Sequence, residues 1–225
     1  MTAMTHTALE SLEIATGPDP TASVIWLHGL GADGHDFEPA VPHLMHGQPR
    51  TLRFVFPHAP VRPVTLNGGM PMRAWYDIVQ LNRRAAEDEP GVRASYAALQ
   101  TLIRRENERG IACERIVLAG FSQGGAMALF GGTRLPERIA GIIGLSCYMP
   151  IAAAFSTERH PSNQATPILL AHGSFDPVVE PSLGEGARTL LEAAGYAVEW
   201  HSYPMAHSVC AEELAAVAAF LKRVL

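Results

Sequence analysis

Short, continuously apolar runs alternate along this chain with segments whose apolar residues recur at helical spacing. The apolar runs are residues 23–27, 52–56, 115–119, 139–143 and 167–171. The helix-like segments are residues 91–110, 123–131, 182–194 and 211–221. A strand that is apolar at every position is typical of burial on both faces, and strands that alternate with helices pair in parallel. This order predicts an α/β fold in which helices cover both faces of a mostly parallel central sheet. Residues 197–203 alternate in polarity, which predicts a strand nearer the sheet edge.

A G-x-S-x-G motif lies where one apolar run meets a helix-like segment. Residues 115–119 lead directly into GFSQG at 120–124, and the helical pattern begins at once. A serine in such a connection projects its hydroxyl from the end of the sheet, and the flanking glycines avoid collisions with neighbouring backbone. Free N–H groups at the following helix N-terminus favour an anion. A plain glycine-rich turn is the alternative, but the context favours Ser122 as a nucleophile.

A serine nucleophile needs a base, and the base needs an acid that orients it. In serine hydrolases built on α/β sheets, these residues follow in the order Ser, Asp or Glu, His. Asp176 is the only aspartate after Ser122, and it comes just beyond the run at 167–171. Loops at the ends of parallel strands are where active-site residues gather, so Asp176 is the predicted acid. An Asx-turn is the alternative role for its side chain, and Glu180 and Glu185 are the alternative acids.

Two histidines follow Asp176 in the chain. His201 lies inside the alternating segment 197–203, which holds its side chain in one direction relative to the sheet. His207 lies in the loop after that segment, in the sequence PMAHS. A loop after a strand can carry an imidazole over the end of the sheet. His207 is therefore the predicted base, with His201 as second choice and a surface histidine as the alternative.

The loop after the first apolar run is rich in glycine. Residues 28–34 read HGLGADG, and glycines at this density let successive N–H groups turn towards one point, as an anion site requires. Hydrolases of this type take one oxyanion donor from such a loop and the other from the residue after the nucleophile. The predicted donors are the N–H groups of Leu30 and Gln123. A phosphate-binding loop would need Gly-Lys-Ser/Thr, and the only lysine of the chain is Lys222.

Several segments together resemble the carboxylesterase/acyl-protein thioesterase (phospholipase/carboxylesterase) family of α/β-hydrolases. They are HGLG at 28–31, PHAPVRPVTLN at 57–67, MRAWYD at 72–77, GFSQGG at 120–125, HGSFDPVV at 172–179, and His207. The resemblance implies a small α/β-hydrolase fold without a large lid domain. It also implies hydrolysis of carboxylic esters or S-acyl thioesters, no cofactor, and often a homodimer.

The same resemblance assigns roles to single residues. The residues that match the family's catalytic triad and oxyanion donors are Ser122, Asp176, His207, Leu30 and Gln123. Trp75 falls where the family has an aromatic residue beside the acyl pocket, and a core tryptophan is the alternative. Cys147 stands where the family usually has a small residue, and its effect on the pocket stays open.

Composition limits the classes of partner and cofactor. The 225 residues fit one domain spanning residues 1–225, and a net charge of −5 leaves no basic footprint for nucleic acid or an anionic membrane. The longest apolar stretch, residues 139–155, is too short to span a membrane, and residues 1–10 lack the pattern of a signal peptide. Three widely spaced cysteines are typical of reduced thiols. We expect a cytoplasmic protein that acts on a small acyl ester or thioester, binds no nucleic acid or metal, and inserts into no membrane. The polar residues 82–90 are expected to form a solvated loop.

Two other functions deserve comparison with a serine esterase. A lactone or dienelactone hydrolase of the same fold commonly uses cysteine as nucleophile, whereas this chain has Ser122. A non-catalytic binding protein of this fold typically lacks a triad member, and here all three residue types are present. The favoured prediction is a Ser-His-Asp esterase that works through an acyl-enzyme.

Overall fold

The computed structural model describes residues 9–79 and 87–225. Its strands are β1 (Ser11–Ala15), β2 (Ala22–Leu27), β3 (Leu52–Pro57), β4 (Val61–Val64), β5 (Met70–Arg73), β6 (Ile116–Phe121), β7 (Gly141–Leu145), β8 (Ile168–Gly173) and β9 (Val198–Tyr203). Its α-helices are α1 (Val41–Leu44), α2 (Glu89–Glu108), α3 (Gln123–Gly132), α4 (Phe155–Glu158), α5 (Pro181–Ala193) and α6 (Ala211–Val224).

Seven of these strands form one sheet in the order β1-β3-β2-β6-β7-β8-β9. All neighbours pair in parallel except β1, which runs antiparallel to β3. Strands β4 and β5 form a separate antiparallel hairpin. Because the parallel strands end at one edge, the loops that follow β2, β6, β8 and β9 meet there.

Alternate residues of the central strands pack into two separate cores, one on each face of the sheet. In β6, Ile116 and Leu118 pack with side chains of α2, α3 and α5. Val117 and Ala119 pack with side chains of α1 and α6. Burial on both faces explains why these strands are apolar at every position. The predicted α/β fold, with helices on both faces of a mostly parallel sheet, is confirmed.

The predicted elements correspond to observed ones with shifts of a few residues at their ends. The largest shift is at the end of the last helix, predicted to end at residue 221, where α6 continues to Val224, and β7 occupies Gly141–Leu145 in place of 139–143. The strand predicted near an edge, β9, is one of the two edge strands of the seven-stranded sheet. Within the described residues, no helix has the length and apolar character that crossing a membrane requires.

The expected solvated loop at 82–90 needs a correction at its end. Residues 82–86 lie outside the described residues, as do residues 1–8 of the segment considered for a signal peptide. Glu89 already begins helix α2. Asp88 caps that helix by accepting a hydrogen bond from the Gly91 N–H (2.9 Å), and an N-cap of this type satisfies a free donor of the first turn. The charged residues at 88–89 are thus a helix start.

Candidate active site

The turn between β6 and α3 places Ser122 at the end of the sheet. Its φ of 54° and ψ of −121° are rare for a residue with a side chain, which is the strain expected of a nucleophile turn. The Ser122 N–H donates to the carbonyl of Leu145 in β7 (2.8 Å). A Cβ at Gly120 would overlap the Gly124 backbone, and one at Gly124 would overlap the Leu27 carbonyl. Both flanking glycines are therefore required by close backbone approach.

The structure brings Ser122, His207 and Asp176 into one chain of hydrogen bonds. The Ser122 Oγ lies 2.9 Å from His207 Nε2, and His207 Nδ1 lies 2.7 Å from Asp176 Oδ2. A carboxylate can only accept, so Nδ1 carries the proton and Nε2 is free to accept the proton of the hydroxyl. The imidazole packs on the Phe121 ring, with centroids 4.7 Å apart. His201, the second choice for the base, pairs with Glu199 (2.9 Å).

Asp176 is held by the loop that follows β8. Its side chain is buried, and Oδ1 accepts hydrogen bonds from the N–H groups of Val178 and Val179, both at 2.9 Å. Nearby, His172 Nε2–H donates to the Val179 carbonyl (2.9 Å), and burial lowers the pKa of His172, which favours its neutral form. The Asx-turn therefore uses Oδ1 of Asp176, and the contact with His207 uses Oδ2. The alternative acids, Glu180 and Glu185, are both exposed.

The loop after β2 holds the peptide that carries the Leu30 N–H. His28 is 2 % exposed, and its Nε2 accepts a hydrogen bond from the Ala59 N–H (3.0 Å). The ring proton must then be on Nδ1, which donates to the Gly29 carbonyl (2.7 Å). Burial lowers the pKa of His28, in keeping with a neutral ring. In a trans peptide the C=O and N–H point in opposite directions, so this bond also orients the Leu30 N–H.

The two predicted oxyanion donors have no hydrogen-bond acceptor within residues 9–79 and 87–225. Neither the Leu30 N–H nor the Gln123 N–H donates to an acceptor among the residues that the structure describes. Gln123 is the first residue of α3, where N–H groups have no partner inside the helix. Both donors are thus available to an anion beside Ser122.

Trp75 contacts the loop that follows β2. The residue is 2 % exposed and belongs to the core on the α3 face, as the core alternative predicted. Its indole N–H donates to the His28 carbonyl (2.9 Å), and its backbone N–H donates to the side-chain carbonyl of Gln123 (2.8 Å). Sequence reasoning missed these polar contacts. The role of Trp75 beside an acyl chain stays a prediction.

Cys147 lies behind the turn that holds Ser122. Its side chain fills the space beside Gly125 and Gly144, since a Cβ at Gly125 would come within 2.9 Å of the Cys147 Cβ. Burial raises the pKa of its thiol, so the sulfur stays protonated. Cys147 therefore packs as a small core residue.

A cavity of about 490 Å³ adjoins His207. Its apolar wall includes Phe37, Phe121 and Leu214, and His207 forms part of one side. Asp36 and His43, both exposed, also line the cavity and belong to the chain segment that follows the loop of Leu30. The cavity thus lies between the loop of His207 and the segment that follows residues 28–34.

Three or more His, Cys, Asp or Glu side chains arranged to hold a metal ion do not occur in the described ranges 9–79 and 87–225. Asp176 and His207 instead bond to each other. Their arrangement suits proton transfer at Ser122.

Comparison with known proteins connects this geometry to one family. The family model described as phospholipase/carboxylesterase matches residues 10–225. The acyl-protein thioesterase 1 of Neurospora crassa is 44% identical over 210 residues, which cover 89% of this chain and 86% of the fungal protein. That of Gibberella zeae is 41% identical and covers 91% of each chain.

Solved structures share this fold over most of the chain. Arabidopsis thaliana SOBER1 superposes with a TM-score of 0.83 at 30% identity, covering 90% of this chain and 98% of the plant protein. Zea mays acyl-protein thioesterase 2 superposes with a TM-score of 0.83 at 29% identity, covering 95% of this chain and 98% of that one.

Proposed function

Because this chain belongs to the phospholipase/carboxylesterase family of α/β-hydrolases, we propose that it cleaves carboxylic esters or S-acyl thioesters through an acyl-enzyme on Ser122. Relatives named acyl-protein thioesterase 1, at 39% to 44% identity, support the thioester part of this proposal. The observation that carries it is the continuous chain of hydrogen bonds from Ser122 through His207 to Asp176.

Acylation begins with proton transfer from Ser122 to His207. As Nε2 takes the hydroxyl proton, Oγ attacks the carbonyl carbon of the substrate and the carbonyl oxygen gains the negative charge. The N–H groups of Leu30 and Gln123 bind this oxyanion. Asp176 stabilises the imidazolium that forms on His207. The Nε2 proton then passes to the leaving alcohol or thiol as its bond to the acyl carbon breaks.

Deacylation repeats these steps with water as the nucleophile. His207 takes a proton from water, hydroxide attacks the acyl carbon, and the same two N–H groups bind the second oxyanion. Return of the proton to Ser122 Oγ releases the carboxylic acid and restores the free enzyme.

The cavity beside His207 suits the leaving group. The leaving atom must lie next to Nε2, because that nitrogen supplies its proton. Phe37 and Leu214 form an apolar wall of the cavity that His207 also lines, so this wall lies close to the proposed base. This arrangement favours substrates with an apolar part next to the ester or thioester bond.

The test compares Ser122→Ala with the wild type on two substrate series, p-nitrophenyl esters and S-acyl thioesters of increasing chain length. We expect the variant to fold and to lose activity by several orders of magnitude, since loss of a triad serine in other hydrolases costs on the order of 10⁶ in kcat. It should also fail to react with a fluorophosphonate probe. The exposed Ser202 in β9 provides the control, and Ser202→Ala should keep wild-type hydrolytic activity and still react with the probe. More than about a tenth of wild-type activity in Ser122→Ala, against that several-order loss, would contradict the nucleophile assignment.

A further inference from the structure

The carboxamide of Gln123 is bound at both ends by backbone groups of a distant segment. Its Oε1 accepts a hydrogen bond from the Trp75 N–H (2.8 Å), and its Nε2 donates to the Tyr76 carbonyl (2.7 Å). Gln123 is 2 % exposed, so water does not replace these partners. A side chain fixed at two points on a rigid backbone has little freedom to rotate. The backbone of Gln123, including its N–H, is therefore fixed relative to residues 75–76.

The same segment also holds the loop of the other oxyanion donor. The indole N–H of Trp75 donates to the His28 carbonyl (2.9 Å), and the Arg73 carbonyl accepts from the Gly31 N–H (2.9 Å). These bonds lie on either side of Leu30 in the chain. Residues 73–76 thus connect the loop that carries one donor to the side chain of the residue that carries the other.

Residues 73–76 are in turn anchored to the body of the protein. The Ser95 hydroxyl of α2 donates to the Trp75 carbonyl. The Arg73 guanidinium donates to the Ala59 carbonyl (2.9 Å), next to the amide that binds His28. Each backbone group that Gln123 uses therefore belongs to a segment with its own fixed contacts.

Geometry of this kind matters most in the transition state. Oxyanion donors stabilise the developing charge only if they are already in place, and misplacement by about 1 Å can cost about 10²-fold in rate. The ground-state substrate depends on them less, because its carbonyl oxygen carries little charge.

We propose that the side chain of Gln123 is a positioning residue, which sets the distance between the two oxyanion donors by binding the backbone of Trp75 and Tyr76. This inference rests on the proposed function, in which the N–H groups of Leu30 and Gln123 bind the oxyanion.

The test uses Gln123→Met, which keeps the length of the side chain and the backbone N–H but removes both hydrogen bonds. Single-turnover kinetics with an ester substrate separate the acylation rate constant from the substrate dissociation constant. We expect acylation to slow by about 10- to 100-fold, with the dissociation constant changed by less than about threefold. A trifluoromethyl ketone, whose adduct with Ser122 places an oxyanion in the same site, should bind more weakly by the same factor as the rate loss.

Asn163 provides the matched control, because it is a buried carboxamide that also links backbone groups. Its Oδ1 accepts from the Ile139 N–H (3.0 Å), and its Nδ2 donates to the Leu135 carbonyl (2.9 Å). Asn163→Leu should lower the free energy of unfolding but leave acylation and inhibitor affinity unchanged. Trp75→Phe is a second test, since it keeps an aromatic ring but removes the N–H that holds the His28 carbonyl. It should slow acylation without weakening substrate binding even if Gln123→Met fails to fold.

Two outcomes would overturn the inference. One is wild-type acylation in folded Gln123→Met. The other is an equal loss of acylation in Asn163→Leu, which would show a general effect of lost stability. Neither outcome concerns the proposed function, which fails only if Ser122→Ala remains active and is labelled.

Discussion

Glu213 is a buried carboxyl group whose ionisation should oppose folding. It lies in the first turn of α6, is 0 % exposed, and in the described part of the chain neither carboxylate oxygen has a partner with ordinary hydrogen-bond geometry. Burial raises the pKa of Glu213 from its ordinary value of 4.5 to about 8, and the nearby Cys210 amide offsets only part of this rise. Its titratable neighbours Cys147, Tyr203 and Cys210 also have raised pKa values, so they stay neutral below pH 8.

The size and sign of the effect follow from these pKa values. Between pH 4.5 and about 8 the native state keeps the proton that the unfolded state releases, so the free energy of unfolding falls as pH rises. The contribution is complete below pH 4.5 and is lost once pH has passed about 8. At about 1.4 kcal/mol per pH unit, this window amounts to at most about 5 kcal/mol. Glu213→Gln carries no charge, so its stability should not show this fall.

The assay is urea unfolding of wild type and Glu213→Gln from pH 5 to 8.5. The variant should gain stability relative to wild type as pH rises, approaching about 4 kcal/mol at the alkaline end. Any shift in the unfolding free energy of the variant that comes from burying the Gln amide is the same at every pH, and such a shift does not change how the difference from wild type varies with pH. The exposed neighbour Glu212 is the control, and Glu212→Gln should follow the wild-type curve. Parallel curves for wild type and Glu213→Gln would refute the burial argument.

Three further outcomes can be checked with single preparations. His207→Ala should lose esterase activity by on the order of 10⁶ in kcat, whereas His201→Ala, shown folded by circular dichroism, should stay near wild type; the reverse result would move the base to β9. Gly124→Ala should destabilise the fold by about 1–3 kcal/mol or more in thermal unfolding, because its Cβ would overlap the Leu27 carbonyl, and an unchanged melting temperature would contradict the close packing of the nucleophile turn. Treatment with EDTA should leave kcat/KM unchanged, and restoration of a lost activity by zinc or calcium would contradict a metal-free mechanism.

Residue patterns over a few neighbouring positions predicted the strands and tight turns that form within a short stretch of chain. The apolar run at 115–119 and the glycines at 120 and 124 predict a strand followed by a tight turn, because each requirement acts within a few residues. The alternation at 197–203 likewise predicts an edge strand and leaves His207 in the loop beyond it. Strand β1 was missed, since its five residues make only a short alternating pattern and it pairs with a strand about forty residues away.

No local sequence pattern predicted the hydrogen bonds of the Gln123 side chain. They join its side chain to backbone groups 47 and 48 residues earlier in the chain. Backbone N–H and C=O groups are the same at every residue, so no residue type at positions 75 and 76 reveals that they will bind a carboxamide. Only the polar side chain at a fully buried helix start could have suggested a partner, because buried amides are almost always hydrogen-bonded.

Asp176 shows why two predictions that compete in a sequence can both describe one side chain. The Asx-turn uses Oδ1, and this turn fixes the carboxylate so that Oδ2 meets His207 Nδ1. Asp176→Asn should keep the turn through its amide oxygen and present its NH₂ group to His207. An NH₂ group only donates, so Nδ1 must become the acceptor and the ring proton must move to Nε2, where it blocks acceptance of the Ser122 proton. We expect kcat to fall by about 10⁴ with a nearly unchanged melting temperature, whereas Asp176→Ala should lose the turn and melt lower. Equal melting temperatures for the two variants would show that the turn does not depend on this side chain.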